Sequence, residues 1–225
     1  MTAEPAEVRA REFRGVAYKY GVYNVLDYGN SSYYTHEVAE LDIREKFWKP
    51  KAGDVVVDVG AQFGSYTLPA AALGAYVLAF EPLKMFVECL EKNVELNGFQ
   101  DRVIVYNYAL SDANANFSYP PAGHPDHHRY TFPGRRLDDV AEELGLFRLD
   151  WVKCDTEGWE PRVLRGATRT IARCHPKMLL EVHKFLDGHG DPPQEEQIVP
   201  QLKALGYTWE RHVDSPVDYI FAQPP

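Results

Sequence analysis

The chain has 225 residues, 45% of them hydrophobic, and its 33 acidic and 24 basic side chains give a formal net charge of −9. That length suits one α/β domain with a modest extension rather than two independent domains, and the apolar share is enough to cover both faces of a sheet. The acidic balance argues against a sequence-independent nucleic-acid surface, which needs lysines and arginines to neutralise phosphates.

The N-terminus, from Met1 to Pro5, is polar and has no apolar core of the signal-peptide kind. Residues 1–14 are charged and are expected to fray. Six tyrosines follow between Tyr18 and Tyr34, interrupted by Gly21, Asn24, Gly29 and Asn30, a pattern of short strands or a lid. Val38, Leu41 and Phe47 give helical spacing between His36 and Trp48. Residues 1–49 therefore read as an aromatic-rich N-terminal cap or lid, and residues 50–225 as the main domain.

From Asp54 the pattern alternates strand and helix. Val55–Val59 is apolar on both faces, as a buried parallel strand must be. Tyr66–Leu73 is helical and stops at Gly74; Tyr76–Phe80 is a second strand; Leu83–Leu96 is an amphipathic helix ending at Asn97-Gly98. Val103–Tyr108 is a third strand. The stretch from Ser111 to Gly134, rich in proline and holding His124, His127 and His128, reads as a long insertion. Leu137–Leu144 is a helix, Leu149–Cys154 a strand, Glu160–Gly166 a short helical turn, Lys177–Val182 a strand and Gln194–Leu205 a helix. Two last strands near Trp209–Val213 and Asp218–Ala222, joined at Asp214-Ser215-Pro216, form an antiparallel hairpin. Together these describe a seven-stranded Rossmann-like sheet, whose ligands sit at the carboxyl ends of the strands. Cys89, Cys154 and Cys174 are too few and too far apart for a disulfide framework or a metal-type pair. No apolar run is long enough to span a bilayer, so a cytoplasmic protein is expected.

The first strand runs into Asp58-Val59-Gly60-Ala61-Gln62-Phe63-Gly64. A dinucleotide fingerprint ending at Gly64 would need glycines where Val59 and Ala61 stand, so it fails. Asp58 would repel a pyrophosphate and attract a ligand bearing an ammonium and a sulfonium. Glu81 closes the second strand, where a carboxylate can accept both hydroxyls of an adenosine ribose.

With these features the chain resembles the FkbM family of S-adenosylmethionine-dependent methyltransferases. The resemblance is carried by Val57–Ala61 with Gly64-Ser65-Tyr66, by Ala79–Pro82, and by Asn93 with Leu96-Asn97. It continues through Ala109–Asp112, Lys153–Gly158 with Glu160, Val163–Ala167 and Glu181-Val182-His183. It implies the class I methyltransferase fold, a mostly parallel seven-stranded sheet with a C-terminal antiparallel hairpin and helices on both faces. It also implies a donor site for S-adenosyl-L-methionine and its product S-adenosyl-L-homocysteine. Asp58, Gly60, Ala61, Gln62, Phe63, Gly64, Ser65 and Tyr66 would hold the methionine portion, Glu81 and Pro82 the ribose side, and Asn107, Ala109 and Leu110 the adenine slot, with Asp155 also at the donor's edge. Many relatives carry Asn and then a small or β-branched residue where this chain has Gln62-Phe63.

Candidate catalytic residues are Asp155, Glu157, Glu181 and His183, at the ends of the fourth and fifth strands. Methyl transfer to a hydroxyl needs alignment and a proton acceptor, for which His183 or a carboxylate serves. Capping of the next helix by Asp155 or Thr156 is the bland alternative. The same four residues could hold magnesium or calcium, a less favoured reading, and the His124–His128 cluster reads as a polar loop rather than a zinc site. The expected partner is a small-molecule hydroxyl acceptor, on a sugar, glycolipid or secondary metabolite, with no nucleic acid and no membrane span. N-methylation of an amine or protein side chain and a non-catalytic nucleotide-binding scaffold are the alternatives.

Overall fold

In the computed structural model, which describes residues 5, 7–22, 41–119, 130–182, 194–214 and 217–225, two antiparallel strands open the chain. They are β1 (Glu7–Phe13) and β2 (Val16–Val22). Arg14 and Gly15 join them with φ of 50° and 79°, the positive pair that a two-residue turn needs to match strand twist. The expectation that residues 1–14 fray is therefore corrected for Glu7–Phe13. Only Phe13 of β1 is buried, so backbone pairing with β2 defines the strand, and a reading based on apolar periodicity passes over it. Tyr18 and Tyr20 are buried, whereas Tyr23, Tyr28, Tyr33 and Tyr34 lie outside the described residues, as do His124–His128 and His183.

Two compact units divide the chain, Met1–Asn107 and Tyr108–Pro225. The first continues with α1 (Leu41–Phe47), β3 (Val55–Val59), α2 (Thr67–Ala72), β4 (Tyr76–Phe80), α3 (Lys84–Asn97) and β5 (Val103–Tyr106). Strands β3, β4 and β5 run parallel, with Val56, Val57, Val77, Ala79 and Phe80 buried in the core. Gly98, at φ 67°, ends α3; its amide donates to the Glu95 carbonyl and the Phe99 amide to that of Val94, both at 3.0 Å. This is the left-handed stop that the Asn97-Gly98 pair announces in the sequence.

The second unit contains β6 (Ala109–Leu110), β7 (Ala115–Tyr119) and β8 (Tyr130–Arg135), which form a small sheet in the order β6-β8-β7. The sequence reads this region as an insertion because β8 includes Pro133 and Gly134, residues that signal loops. After it come α4 (Leu137–Glu143), β9 (Trp151–Cys154), α5 (Glu160–Arg165), α6 (Thr168–Cys174), β10 (Lys177–Val182), α7 (Gln194–Ala204), β11 (Thr208–Asp214) and β12 (Val217–Gln223). Helix α6 is absent from the sequence reading. Its first amides are satisfied from outside it: those of Arg169 and Thr170 donate to the carboxylate of Asp138, at 3.1 and 2.8 Å.

Seven strands form the main sheet in the order β11-β12-β10-β9-β3-β4-β5, with helices around it. β10 is parallel to β9 and antiparallel to β12, which pairs antiparallel with β11. The expected C-terminal hairpin is thus in place. Among the described residues no helix is long and apolar enough to cross a membrane.

Gly166, between α5 and α6, lies close against the backbone of Ser111. A Cβ there would meet the Ser111 carbonyl oxygen at 1.9 Å. Backbone must move to admit one, so Gly166→Ala is expected to cost about 1–3 kcal/mol, read as a lower midpoint in denaturant unfolding.

Candidate active site

The segment after β3 is built into the first unit from three directions. The Gly60 and Ala61 amides both donate to the Phe80 carbonyl at the end of β4, at 2.9 and 3.2 Å. The Gln62 amide then donates to Oε2 of Glu81 at 3.0 Å, while Oε1 of the same carboxylate accepts from the Leu83 amide at 2.9 Å. Glu81 is buried. Each of its oxygens accepts from one backbone amide, and a carboxylate is an acceptor-only group. Gln62 sits at φ 43°, a left-handed conformation that Asn tolerates better than Gln.

Phe63 is buried and packs edge-to-face against Phe86 of α3, with ring centroids 5.1 Å apart. Its bulk is turned to the core. Gly64, at φ 96°, closes the turn, and a Cβ there would lie 2.7 Å from Leu90 Cδ1. The Ser65 carbonyl accepts from Nη1 of Arg44, a buried guanidinium of α1 at 2.5 Å that also lies over the Tyr66 ring. Asp58 is buried, and its Oδ2 accepts from the hydroxyl of Thr67, the first residue of α2, at 2.6 Å. Asn107 donates to the Glu81 and Pro82 carbonyls at 3.1 and 3.0 Å. The structure thus brings Asp58, Gly60–Tyr66, Glu81, Pro82 and Asn107 together around the ends of β3 and β4. Ala109 and Leu110 belong to the second unit, buried on β6 opposite Gly134 and Arg135.

In the second unit, Asp155 and Glu157 follow β9. Lys153, itself buried, places Nζ 3.3 Å from Oδ2 of Asp155. Residues two apart on a strand share a face, and Lys153 pairs with Leu179, so Lys153 lies on the face that carries buried Glu181. Glu157 is exposed at φ 53° and Gly158 has φ 100°. The amides of this turn are taken by Glu160, whose buried Oε1 accepts from Thr156 at 2.6 Å and from Gly158 at 3.5 Å. The expected capping of the next helix by Asp155 or Thr156 is corrected: Trp159 stands at the N-cap of α5, with no side-chain cap hydrogen bond there. Burial pushes the Cys154 thiol well above its ordinary range, and Cys89 up to about 11, so neither is a ready thiolate at neutral pH. Among the described residues no group of three or more His, Cys, Asp or Glu side chains is arranged to hold a metal ion.

The sequence model of the family described as "Methyltransferase FkbM domain" matches residues 58–208, two thirds of the chain. The chain belongs to the FkbM methyltransferase family. Its fold is similar to that of the FkbM methyltransferase of Methylobacillus flagellatus, with a TM-score of 0.58 and 19% identity over 81% of this chain and 47% of that one. It is also similar to the Thermus thermophilus 16S rRNA N2 G1207 methyltransferase, solved in complex with AdoMet and guanosine, with a TM-score of 0.57 and 16% identity over 97% of this chain and 50% of that one. In sequence it is 30% identical over 183 residues to the AMB antimetabolite synthetase AmbE of Pseudomonas aeruginosa, covering 60% of this chain and 8% of that protein. The chain thus spans half or less of the length of these relatives.

Ser111, Asp112, Arg165 and Gly166, among the residues that carry the resemblance, hold the scaffold together with Trp159. Trp159 Nε1 donates to the Ser111 hydroxyl at 3.0 Å, Arg165 is paired with Asp112 at 3.0 Å, and Gly166 admits the Ser111 backbone. Lys153, Glu160, Asn93 and Arg44 stand in the sequence without an assigned role; a charge inside the otherwise apolar buried strand β9 is the signal that marks Lys153. Lys153 is buried and Asp155 half-buried, so the two charges are expected to be coupled. In a double-mutant cycle, Lys153→Met with Asp155→Asn should be less destabilising than the sum of the single changes, by about 0.5–3 kcal/mol. Simple additivity in denaturant unfolding would show that the two charges do not support each other.

Proposed function

We propose that this FkbM-family chain uses S-adenosylmethionine and methylates a hydroxyl of a small molecule such as a sugar, glycolipid or secondary metabolite. The single observation that carries the donor assignment is the buried carboxylate of Glu81 at the end of β4, joined to the Gln62 amide of the loop after β3. An acceptor-only group there suits a ribose diol, and the carboxylate of Asp58 suits a cationic ligand rather than a pyrophosphate. AdoMet in the Thermus thermophilus neighbour supports the same choice.

The donor, when bound, supplies an electrophilic methyl on a sulfonium. The loop from Gly60 to Tyr66 orients it, and Glu81 and Asn107 fix the nucleoside side. In this reading Asp155, Glu157, Glu181 and His183 serve the acceptor: the hydroxyl oxygen forms the new bond to carbon, the carbon–sulfur bond breaks, and the O–H proton passes to a carboxylate or to His183. Lys153 orients the Asp155 carboxylate. Its ammonium, 3.3 Å from Asp155, also repels a divalent cation at that oxygen, which supports transfer without a metal. The net charge of −9 favours a small acceptor over a phosphate backbone.

Radiolabelled methyl donor offered with a panel of glycosides, hydroxylated metabolites, amines and RNA tests this reading. Label is expected on hydroxyl acceptors and at an undiminished rate in chelator. Label on amines or RNA alone, or activity abolished by chelator and restored by magnesium, would contradict it.

A further inference from the structure

Asn93 and Asn97 lie one turn apart on α3 and meet β2 in different ways. Asn97 engages Lys19 on both sides: its Oδ1 accepts from the Lys19 amide at 2.6 Å, and its Nδ2 donates to the Lys19 carbonyl at 2.7 Å. The side chain therefore satisfies the edge of β2 as a neighbouring strand would. Asn93 is fully buried and faces two segments at once. Its Oδ1 accepts from the Gly21 amide of β2 at 2.8 Å, and its Nδ2 donates to the Phe63 carbonyl at 2.9 Å. An amide N–H is only a donor and a carbonyl only an acceptor, so these partners fix which end of the Asn93 amide is oxygen.

Phe63 lies between Gln62, whose amide is held by Glu81, and Gly64, whose left-handed φ closes the turn. Side-chain packing of Phe63 against Phe86 places the ring but leaves the direction of the carbonyl open. The Asn93 amide sets that direction, and with it the plane of the Phe63–Gly64 peptide. Asp lacks the N–H for Phe63, Ser is too short to span both partners, and Gln adds a methylene where nothing yields.

We propose that Asn93 is a positioning residue for the methyl donor, joining the β1–β2 hairpin to the donor loop so that order in one stabilises the other. The proposal rests on the donor site proposed above. Coupling between two sites is reciprocal, so a donor that orders the loop must also hold the hairpin more firmly.

Two measurements test it, both with S-adenosylhomocysteine as the probe. The first compares Asn93→Asp with Asn97→Ala by calorimetry and thermal unfolding. Asn93→Asp keeps the acceptor for Gly21 and removes the donor to Phe63, so its Kd should rise about tenfold, the equivalent of one hydrogen bond. Asn97→Ala should lower Tm and leave Kd unchanged. The second needs no variant, and so decides the matter even where Asn93→Asp does not fold: hydrogen exchange in the unmutated chain should slow on adding the probe in peptides covering residues 60–66 and also 16–22. Wild-type affinity in Asn93→Asp, or protection confined to residues 60–66, would overturn the proposal while leaving the donor site standing. Failure of the unmutated chain to bind the probe would overturn both.

Discussion

The hydrogen bond from the Gln62 amide to the Glu81 carboxylate is the constraint on which the site depends. It ties a loop that begins at the end of β3 to a side chain that ends β4, and parallel strands place those two ends side by side. Every other contact of the loop is consistent with that one geometry. Gly60 and Ala61 fold over the Phe80 carbonyl, Gly64 turns the chain where Leu90 leaves no room for a Cβ, and the buried Arg44 and Asn93 donate to the carbonyls of Ser65 and Phe63. The result is a preorganised acidic rim: two buried carboxylates, each fixed by a donor of its own unit. Preorganisation of this kind lowers the cost of ordering the site when a ligand arrives.

In the second unit a close approach of backbone comes together with an ion pair. Gly166 lets α5 approach the Ser111 carbonyl, and Trp159 and Arg165 then reach Ser111 and Asp112. Motifs that sequence resemblance presents as a single signature therefore divide into two kinds, those that shape a loop for a ligand and those that lock a small β-structure to a helix. The Lys153–Asp155 pair is different again. An ion pair with a buried member is costly unless its geometry is good, and here the half-buried acid stands next to a turn in which Glu160 accepts from the Thr156 and Gly158 amides.

Much of the fold was legible in the sequence because the parallel strands are apolar on both faces and the helices between them end at glycines. β3, β4, α3 and the C-terminal hairpin lie within a residue or two of expectation, and Asp58, Gly60 and Glu81 meet as the order of strands requires. What escaped has physical reasons. β1 is held by pairing along a charged face, β8 runs through Pro133-Gly134, and α6 starts on amides capped by Asp138, thirty residues earlier in the chain. The partners of Asp155 and of the turn after it, Lys153 and Glu160, were hidden for a related reason: burial, and not spacing, gives them their roles.

The central claim is that the acidic end of β4 is a donor site, and calorimetry with S-adenosylhomocysteine and NAD tests it most directly. The unmutated chain is expected to bind S-adenosylhomocysteine and not NAD, and Glu81→Ala to lose about 1–3 kcal/mol of that binding. Binding of NAD alone, or unaltered affinity for S-adenosylhomocysteine in Glu81→Ala, would contradict it.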